Sequence, residues 1–399
     1  MASENEAVIL SAARTPVGRF LGSLSSVPAT QLGAIAVKAA VERAGINPEE
    51  IEEVIMGNVV QAGEGQAPAR QSGILAGIPA TVSASTVNKV CGSGLKAAMF
   101  ASQAVRAGDA DLFVAGGFES MSRAPYLVSG RSGELKFGNQ PLTDALLYDG
   151  LWDPFENWGM GNAAEFIADE YEVTREAMDQ YALRSHQRAV EAQDKGRFEA
   201  EIVPVEIPGR KGQVTVVERD EGPRRDTSLE ALAKLKPAFK ADGKVTPGNS
   251  SPMNDGGAAV VISSREYAEK NNLKPMARVV GYAQAAVEPK YLFAAPAYAI
   301  PKLLKRIGWT LEDVDLIELN EAFASQVLAD GYALADQGWD WDKVNVNGGA
   351  IALGHPLGAS GARVLTTLLY ALQDRGLQRG IASLCLGGGE AVAMAVEME

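Results

Sequence analysis

Apolar and polar positions along the chain fall into a pattern that occurs twice. Residues 32–43 are Ala-rich with a helical period, and are followed by Gly45-Ile46-Asn47-Pro48-Glu49-Glu50-Ile51 and the short apolar run Val54-Ile55-Met56-Gly57-Asn58. The spacing predicts a helix stopped by Gly45, an acidic turn opened by Asn47 as cap, and a strand. The same succession returns in residues 300–306, Gly308-Trp309-Thr310-Leu311-Glu312-Asp313-Val314 and Leu316-Ile317-Glu318-Leu319-Asn320, with Thr310 as cap. Downstream the echo continues. Cys91-Gly92-Ser93-Gly94 opens an apolar-periodic helix to about Arg106, before Asp111-Leu112-Phe113-Val114-Ala115-Gly116-Gly117. Likewise Gly358-Ala359-Ser360-Gly361 opens a helix to about Gln373, before Ile381-Ala382-Ser383-Leu384-Cys385-Leu386-Gly387. Strands alternating with helices in both copies predict an α/β fold built by duplication, two mixed-sheet units covered by helices, with their sites facing each other.

Between the copies, residues from about 119 to 275 carry Gly, Pro, Asp and Trp clusters and isolated helices such as 175–195. The middle third reads as a loop-rich insertion, the kind of segment that carries substrate binding on a duplicated scaffold. The domain boundaries that follow are 1–118, 119–274 and 275–399.

Composition narrows the partners. With 399 residues and 46% hydrophobic and 22% charged content, the chain can bury a large core. Its formal charge of -13 argues against nucleic acid or an anionic membrane as partner, so a phosphate-bearing substrate must be held by local basic residues. The acidic start Met1-Ala2-Ser3-Glu4-Asn5-Glu6 lacks the features of a signal peptide, and no apolar run reaches the roughly 18 residues of a membrane-spanning helix. A cytoplasmic protein whose two cysteines remain thiols is expected.

Those two cysteines and the two histidines are the scarce reactive groups, and three of the four sit in glycine-rich stretches. Glycine lets backbone approach a substrate closely. Cys91, in Asn88-Lys89-Val90-Cys91-Gly92-Ser93-Gly94, follows a strand-like segment at 85–87 and opens a helix, where the macrodipole favours a thiolate nucleophile. The alternative is a small buried residue. His355 is followed by Pro356 and surrounded by Gly348, Gly349, Gly354 and Gly358, which predicts a turn rather than a buried, helix-packed ring and suggests a base for Cys91. His186 lies on a charged helix and reads as a solvated surface residue. Cys385 precedes three glycines whose N–H groups are the raw material of an oxyanion hole, or merely a tight turn. In Asn320-Glu321-Ala322-Phe323-Ala324 an amide and an acid sit at a strand end, where each needs a partner, although Glu321 also reads as a helix N-terminal acid. No Cys, His or carboxylate spacing supports a metal site, and no glycine pattern matches a dinucleotide fingerprint.

Taken in order, the Cys91 and Asn320 segments, Gly116-Gly117-Phe118-Glu119-Ser120-Met121-Ser122, Gly348-Gly349-Ala350-Ile351-Ala352-Leu353-Gly354-His355-Pro356-Leu357-Gly358 and Cys385-Leu386-Gly387-Gly388-Gly389 resemble the thiolase family across essentially the whole chain. The resemblance implies a duplicated thiolase fold, two mixed-sheet α/β halves with helices between and outside, plus a central loop domain. It implies that Cys91 carries the acyl group, that His355 takes its proton and, with a water held by Asn320, stabilises a thioester oxyanion, and that Cys385 is the acid/base. The N–H groups of Cys91 and Gly387 would form a second oxyanion hole.

For coenzyme A (CoA) the resemblance points to Ser251, in Asn249-Ser250-Ser251-Pro252-Met253-Asn254-Asp255-Gly256, as the pantetheine contact, and to Arg224 and Arg225 for the nucleotide phosphates; paired arginines also form plain surface ion pairs. CoA and acyl-CoA enter as substrates, with no tightly bound cofactor. The implied reaction joins two acetyl-CoA molecules reversibly into acetoacetyl-CoA and CoA, with longer-chain 3-ketoacyl-CoA thiolysis in fatty-acid metabolism as the alternative. Gly159 stands where some members carry a histidine, and Leu292-Phe293-Ala294-Ala295-Pro296 replaces a usual Met-Gly-X-Gly-Pro run, which reshapes the acyl pocket. A non-catalytic acyl-CoA-binding relative would lack one of Cys91, His355 and Cys385, and a decarboxylating ketoacyl synthase would not use a second cysteine. Family members are dimers or dimers of dimers, so a homodimer or homotetramer is expected, with residues 129–139 at the position of the tetramer-forming loop.

Overall fold

The computed structural model describes residues 5–128, 130, 131, 133, 137–209 and 212–399. In chain order its principal elements are β1 (Ala7–Arg14), α1 (Ala29–Ala44), β2 (Glu53–Gly57), β3 (Ser83–Val87), α2 (Ser93–Ala107), β4 (Leu112–Ser120), α3 (Met160–Glu170), α4 (Arg175–Asp194), β5 (Asn254–Ser264), β6 (Ala277–Ala286), α5 (Pro296–Ile307), β7 (Leu316–Leu319), α6 (Ala324–Ala333), α7 (Leu357–Arg375), β8 (Arg379–Leu386) and β9 (Glu390–Met398). Several of the residues 129–139 singled out for subunit assembly lie outside the described residues. No helix among the described residues is long and apolar enough to cross a membrane.

The repeat read from the chain reappears as repeated topology. The strands run in the order β7-β8-β9-β6-β1-β5-β4-β2-β3, with a two-residue strand at Gly18–Arg19 pairing with β5. In one half β2 and β4 are parallel, β4 and β5 antiparallel, and β5 and β1 antiparallel. In the other, β7 with β8, β8 with β9, and β9 with β6 repeat those three senses. The halves share one sheet, because β1 meets β6 at Val8 beside Arg278 and Ile9 beside Ala277. The punctuation is also repeated: α1 and α5 stop at Gly45 (φ 66°) and Gly308 (φ 75°), left-handed positions that glycine adopts without strain. The turns that follow differ in detail. Asn47 caps by accepting the Glu49 N–H, whereas Thr310 donates its own N–H and hydroxyl to Asp313 Oδ2 at 2.8 and 2.9 Å.

Burial arranges these elements in layers. Alternate residues of β1 face opposite sides, with Val8 and Leu10 packing under α1 and Ala7 and Ile9 facing α2 and α7. On the far side Ala391, Ala393 and Ala395 of β9 pack toward α5 and α6, while Val392, Met394 and Val396 face the central helices. α2 and α7 are therefore sandwiched between the halves, and their first turns meet backbone to backbone. A Cβ on Gly94 would lie 2.7 Å from Ala362 N, and one on Gly361 would lie 2.3 Å from Leu95 N. These two glycines occupy matching places in the two copies of the repeat.

The 119–274 segment contains α3 and α4 and the irregular chain around them, and it also supplies β5, one of the sheet's interior strands. All eleven residues of β5 are buried. Its start, Asn254-Asp255-Gly256-Gly257, has the composition of a loop; it runs as strand because Asp255 accepts from Ser122 N and Oγ, at 2.9 and 2.6 Å, and Gly257 lies against the α1 backbone at Leu32 O.

Candidate active site

The candidate residues from both halves lie at or beyond the carboxyl ends of the parallel strands, the position from which open α/β sheets present ligands. Cys91 follows β3, Glu119 closes β4, Asn320 follows β7, and Cys385 and Gly387 sit at the end of β8. Cys91 occupies an elbow between β3 and α2. Val90 there has φ 46°, a left-handed conformation that costs a β-branched residue about 1–2 kcal/mol. Ser93 braces the elbow, its Oγ accepting the Lys89 N–H at 2.8 Å and donating to Val90 O at 2.6 Å.

The electrostatics of Cys91 depart from the helix-dipole expectation. Gly92 is the N-cap of α2, so Cys91 lies one residue outside the helix. Burial pushes its thiol up to about 12, against the backbone N–H groups of Cys91 itself and Gly387, which point at the sulfur and favour the anion; Glu119 raises it further. The resting group is a thiol, so activation needs a base. Cys385 is buried, and burial first, then Cys91 and Asp330, hold its thiol well above the ordinary value.

His355 is also buried, at 6% exposure, contrary to the accessible turn its glycine neighbours predict. The turn is present: Gly354 has φ 116° and leads into Pro356, and the ring lies in the crevice between this turn and α7. Its backbone N–H donates to Asn254 Oδ1 at 2.9 Å, and its Nδ1 lies 2.6 Å from Ser360 Oγ. Burial, with a smaller push from Arg363, lowers the imidazole to about 3, so the ring is neutral. Its Nε2 is 3.5 Å from Asn320 Nδ2. Asn320 Oδ1 is buried with no hydrogen-bond partner among the described residues.

Two carboxylates place these groups, and sequence reasoning missed one and underrated the other. Glu119 accepts from Asn58 Nδ2 (3.1 Å), Val59 N (3.0 Å), Val60 N (3.1 Å) and Gly358 N (2.8 Å), tying the end of β4 to the N-terminus of α7. Burial raises its pKa to about 7. Glu321 is not a helix-end acid but a buried hub: it accepts from Tyr181 Oη, Ser185 Oγ, Asn345 Nδ2 and Ile351 N. The signals for Glu119 in the chain are an acid closing an apolar run and its place in the Gly116–Ser122 segment.

The remaining candidates lie along the insertion. Ser251 donates its N–H to Ala322 O at 3.0 Å, and Ala324 N–H reaches Asn249 O at 2.9 Å, so the 249–251 segment runs beside the Asn320 turn. Arg225 forms a bidentate pair with Asp194 at 2.8 and 2.6 Å, both half exposed. Arg224 and Arg225 border a cavity of about 330 Å³ with Leu183, His186, Val190 and Thr227. His186 is no surface residue. It is 5% exposed, its Nδ1 accepts the Arg224 N–H at 3.2 Å, and burial followed by the Arg224 charge lowers it to about 4. The charged face of α4 carries it inward because the insertion folds back over the helix. Leu292 and Phe293 are buried, and Phe293 packs edge-on to Phe323 with centroids 5.2 Å apart.

Two family models match the chain: "Thiolase, N-terminal domain" over residues 7–266 and "Thiolase, C-terminal domain" over residues 273–398. An acetyl-CoA acetyltransferase of Cupriavidus necator is 52% identical over 392 residues, 98% of this chain and 99% of that one. A probable acetyl-CoA acetyltransferase of Escherichia coli is 49% identical over 394 residues, covering 99% of each chain. Among solved structures, the Bacillus anthracis acetyl-CoA acetyltransferase superposes with a TM-score of 0.96 at 42% identity, over the whole of both chains.

Proposed function

The chain belongs to the thiolase family of acyltransferases, and on that premise we propose that it is an acetyl-CoA C-acetyltransferase, condensing two acetyl-CoA molecules to acetoacetyl-CoA and CoA and running in reverse as a thiolase. One observation carries the residue roles: the Cys91 and Gly387 N–H groups converge on the Cys91 sulfur while neutral His355 faces Asn320. Relatives near 50% identity with that printed name support the substrate.

The steps balance on these residues alone. His355 Nε2 takes the Cys91 proton as the sulfur attacks acetyl-CoA. The tetrahedral intermediate collapses to acetyl-Cys91, and the leaving CoA thiolate takes the Cys385 proton. The imidazolium and the Cys385 thiolate then form a neutral pair in a site too dry for either charge alone. The thiolate removes an α-proton from the second acetyl-CoA, while the imidazolium Nε2–H and a water on Asn320 Oδ1 hold the enolate oxygen. The enolate carbon attacks acetyl-Cys91, whose oxyanion the Cys91 and Gly387 N–H groups receive. Cys91 leaves as thiolate and recovers its proton from His355.

In this reading Ser251 contacts the pantetheine, and Arg224 and Arg225 hold the nucleotide phosphates beside the 330 Å³ cavity. The 119–274 segment acts as the substrate-binding domain, and the protein works in the cytoplasm as a homodimer or homotetramer, which its solution mass checks. The test is CoA-dependent loss of acetoacetyl-CoA with wild type and Cys91→Ala. Turnover by wild type alone supports the proposal; turnover of a C8 3-ketoacyl-CoA with none of acetoacetyl-CoA would replace it by the longer-chain thiolase.

A further inference from the structure

Ser360 sits in the first turn of α7, fully buried, with its Oγ 2.7 Å from Pro356 O and 2.6 Å from His355 Nδ1. A serine hydroxyl has one proton. Two contacts this short are both hydrogen bonds only if the second proton comes from the ring. With the hydroxyl donating to Pro356 O, Nδ1–H must donate to Oγ, and in a neutral imidazole the Nε2 is then bare. The opposite tautomer sets two acceptors against one hydroxyl proton. Burial keeps the ring neutral, so the tautomer, not the charge, is the variable.

The duplicated partner of this residue shows what is specific here. Ser93 occupies the matching place in the first repeat and uses its hydroxyl in the same way, donating to one carbonyl (Val90 O, 2.6 Å) and accepting one N–H. Its acceptance is from the backbone of Lys89, and it braces the Cys91 elbow. In the second repeat the accepted N–H belongs to a side chain that changes protonation state.

We infer that Ser360 is a positioning residue that fixes His355 in the Nδ1–H tautomer and so presents a bare Nε2 at the site. The inference rests on the proposed role of His355 as base, but its test does not depend on turnover. Only two histidines occur in the chain, so ring-15N-histidine NMR of the full-length protein at neutral pH gives two imidazole spin systems. His186, whose Nδ1 accepts the Arg224 N–H, should be the Nε2–H tautomer. His355 should be the opposite, with protonated Nδ1 and pyridine-type Nε2. An Nε2–H signal for His355 in wild type overturns the inference outright, whether or not any variant folds.

Ser360→Ala should lose the exclusive Nδ1–H signal and lower kcat for acetoacetyl-CoA thiolysis roughly 10²-fold, the low end of what a positioned general base contributes, with KM unchanged. Ser360→Thr, which keeps the hydroxyl, should restore both. Retention of the Nδ1–H tautomer and of kcat in Ser360→Ala would refute the role. If wild type fails to turn over acetoacetyl-CoA, the proposed function falls while the ring-nitrogen signals still decide the tautomer.

Discussion

Replacing Glu321 by glutamine changes one atom in a buried hub, and the structure says which hydrogen bond must fail. Oε1 receives Asn345 Nδ2 (2.9 Å) and Tyr181 Oη (3.0 Å); Oε2 receives Ile351 N (3.1 Å) and Ser185 Oγ (2.6 Å). The two hydroxyls can rotate to accept from an amide. The two N–H donors cannot. Asn345 is locked because its Oδ1 accepts Leu319 N–H and its Nδ2 also donates to Leu319 O, and Ile351 N is backbone. An NH2 at the Oε2 position opposes the Ile351 N–H; an NH2 at Oε1 opposes Asn345 Nδ2, whose two protons still reach Leu319 O and Tyr181 Oη, so there the new amide proton is the one left without an acceptor. A buried donor left unsatisfied costs about 1–3 kcal/mol, and the surviving bonds weaken when the acceptor loses its charge, so Glu321→Gln should be destabilised by about 3 kcal/mol. The urea midpoint should fall at constant m. The hub also joins the end of β7, which carries Asn320, to the 350–353 turn that leads to His355. A misplacement of about 1 Å there should lower kcat roughly 10²-fold. A Glu321→Gln protein with wild-type midpoint and kcat would refute the reasoning. A lower midpoint with intact kcat would confine the hub to stability.

Three further outcomes follow from the same geometry. Because the Cys91 thiol lies near 12, its thiolate fraction at pH 8 is about 10⁻⁴; iodoacetamide alkylation, scored against Cys91→Ala, should rise about tenfold per pH unit from 7 to 10, and a plateau below pH 9 would mean a resting ion pair. Gly387→Ala should fold and keep its N–H, since the nearest atoms to the new Cβ are those of the Val90 side chain, Cγ1 at 3.3 Å, whereas Gly389→Ala combines φ 86° with a 2.6 Å clash against Val287 O and should be the less stable by several degrees in thermal unfolding; equal melting would contradict this. Phe293→Ala should raise the C8 to C4 turnover ratio by roughly tenfold, in line with what pocket contacts of this size discriminate, and an unchanged ratio would remove Phe293 from the acyl pocket.

Much of this architecture was legible because the chain states it twice. Gly45 and Gly308, the caps after them, and the helices after Cys91 and Gly358 are local signals, set by backbone geometry and period, and they reappear with closely similar bounds. What local signals could not reveal is where tertiary packing decides. β5 opens on Asn254-Asp255-Gly256-Gly257, a loop composition that becomes strand because Ser122 and α1 supply partners from elsewhere. His186 and His355 both read as accessible, since a polar helix face and a glycine-rich turn are surface features until another segment covers them. The protonation of Cys91 was misread for a related reason: a dipole is visible in a helix start, but desolvation depends on the whole surrounding fold. Cys91, His355, Cys385 and Asn320 stood out by residue type and by their glycine-rich or strand-end setting, whereas Gly387 and the role of each residue came from the family resemblance. The two carboxylates that tie these residues together, Glu119 and Glu321, lie in the same motif segments, but which groups they accept from is decided by the fold.

In the proposed reaction neither half could act alone. Cys91, proposed to carry the acyl group, lies in the first repeat; His355, the proposed base, with Asn320 and Cys385, lies in the second. What brings them within reach is the contact between the first turns of α2 and α7, where Gly94 and Gly361 leave no room for a Cβ on either side. The same contact is secured laterally by Glu119 of the first half accepting Gly358 N–H of the second. A methyl group at Gly361, meeting Leu95 N at 2.3 Å, would therefore separate the helix starts that bear Cys91 and His355. The close packing that buries the site also raises both thiols and lowers the imidazole. A resting state of three neutral groups follows, and in the proposed reaction charge is created only in compensating pairs as substrate arrives.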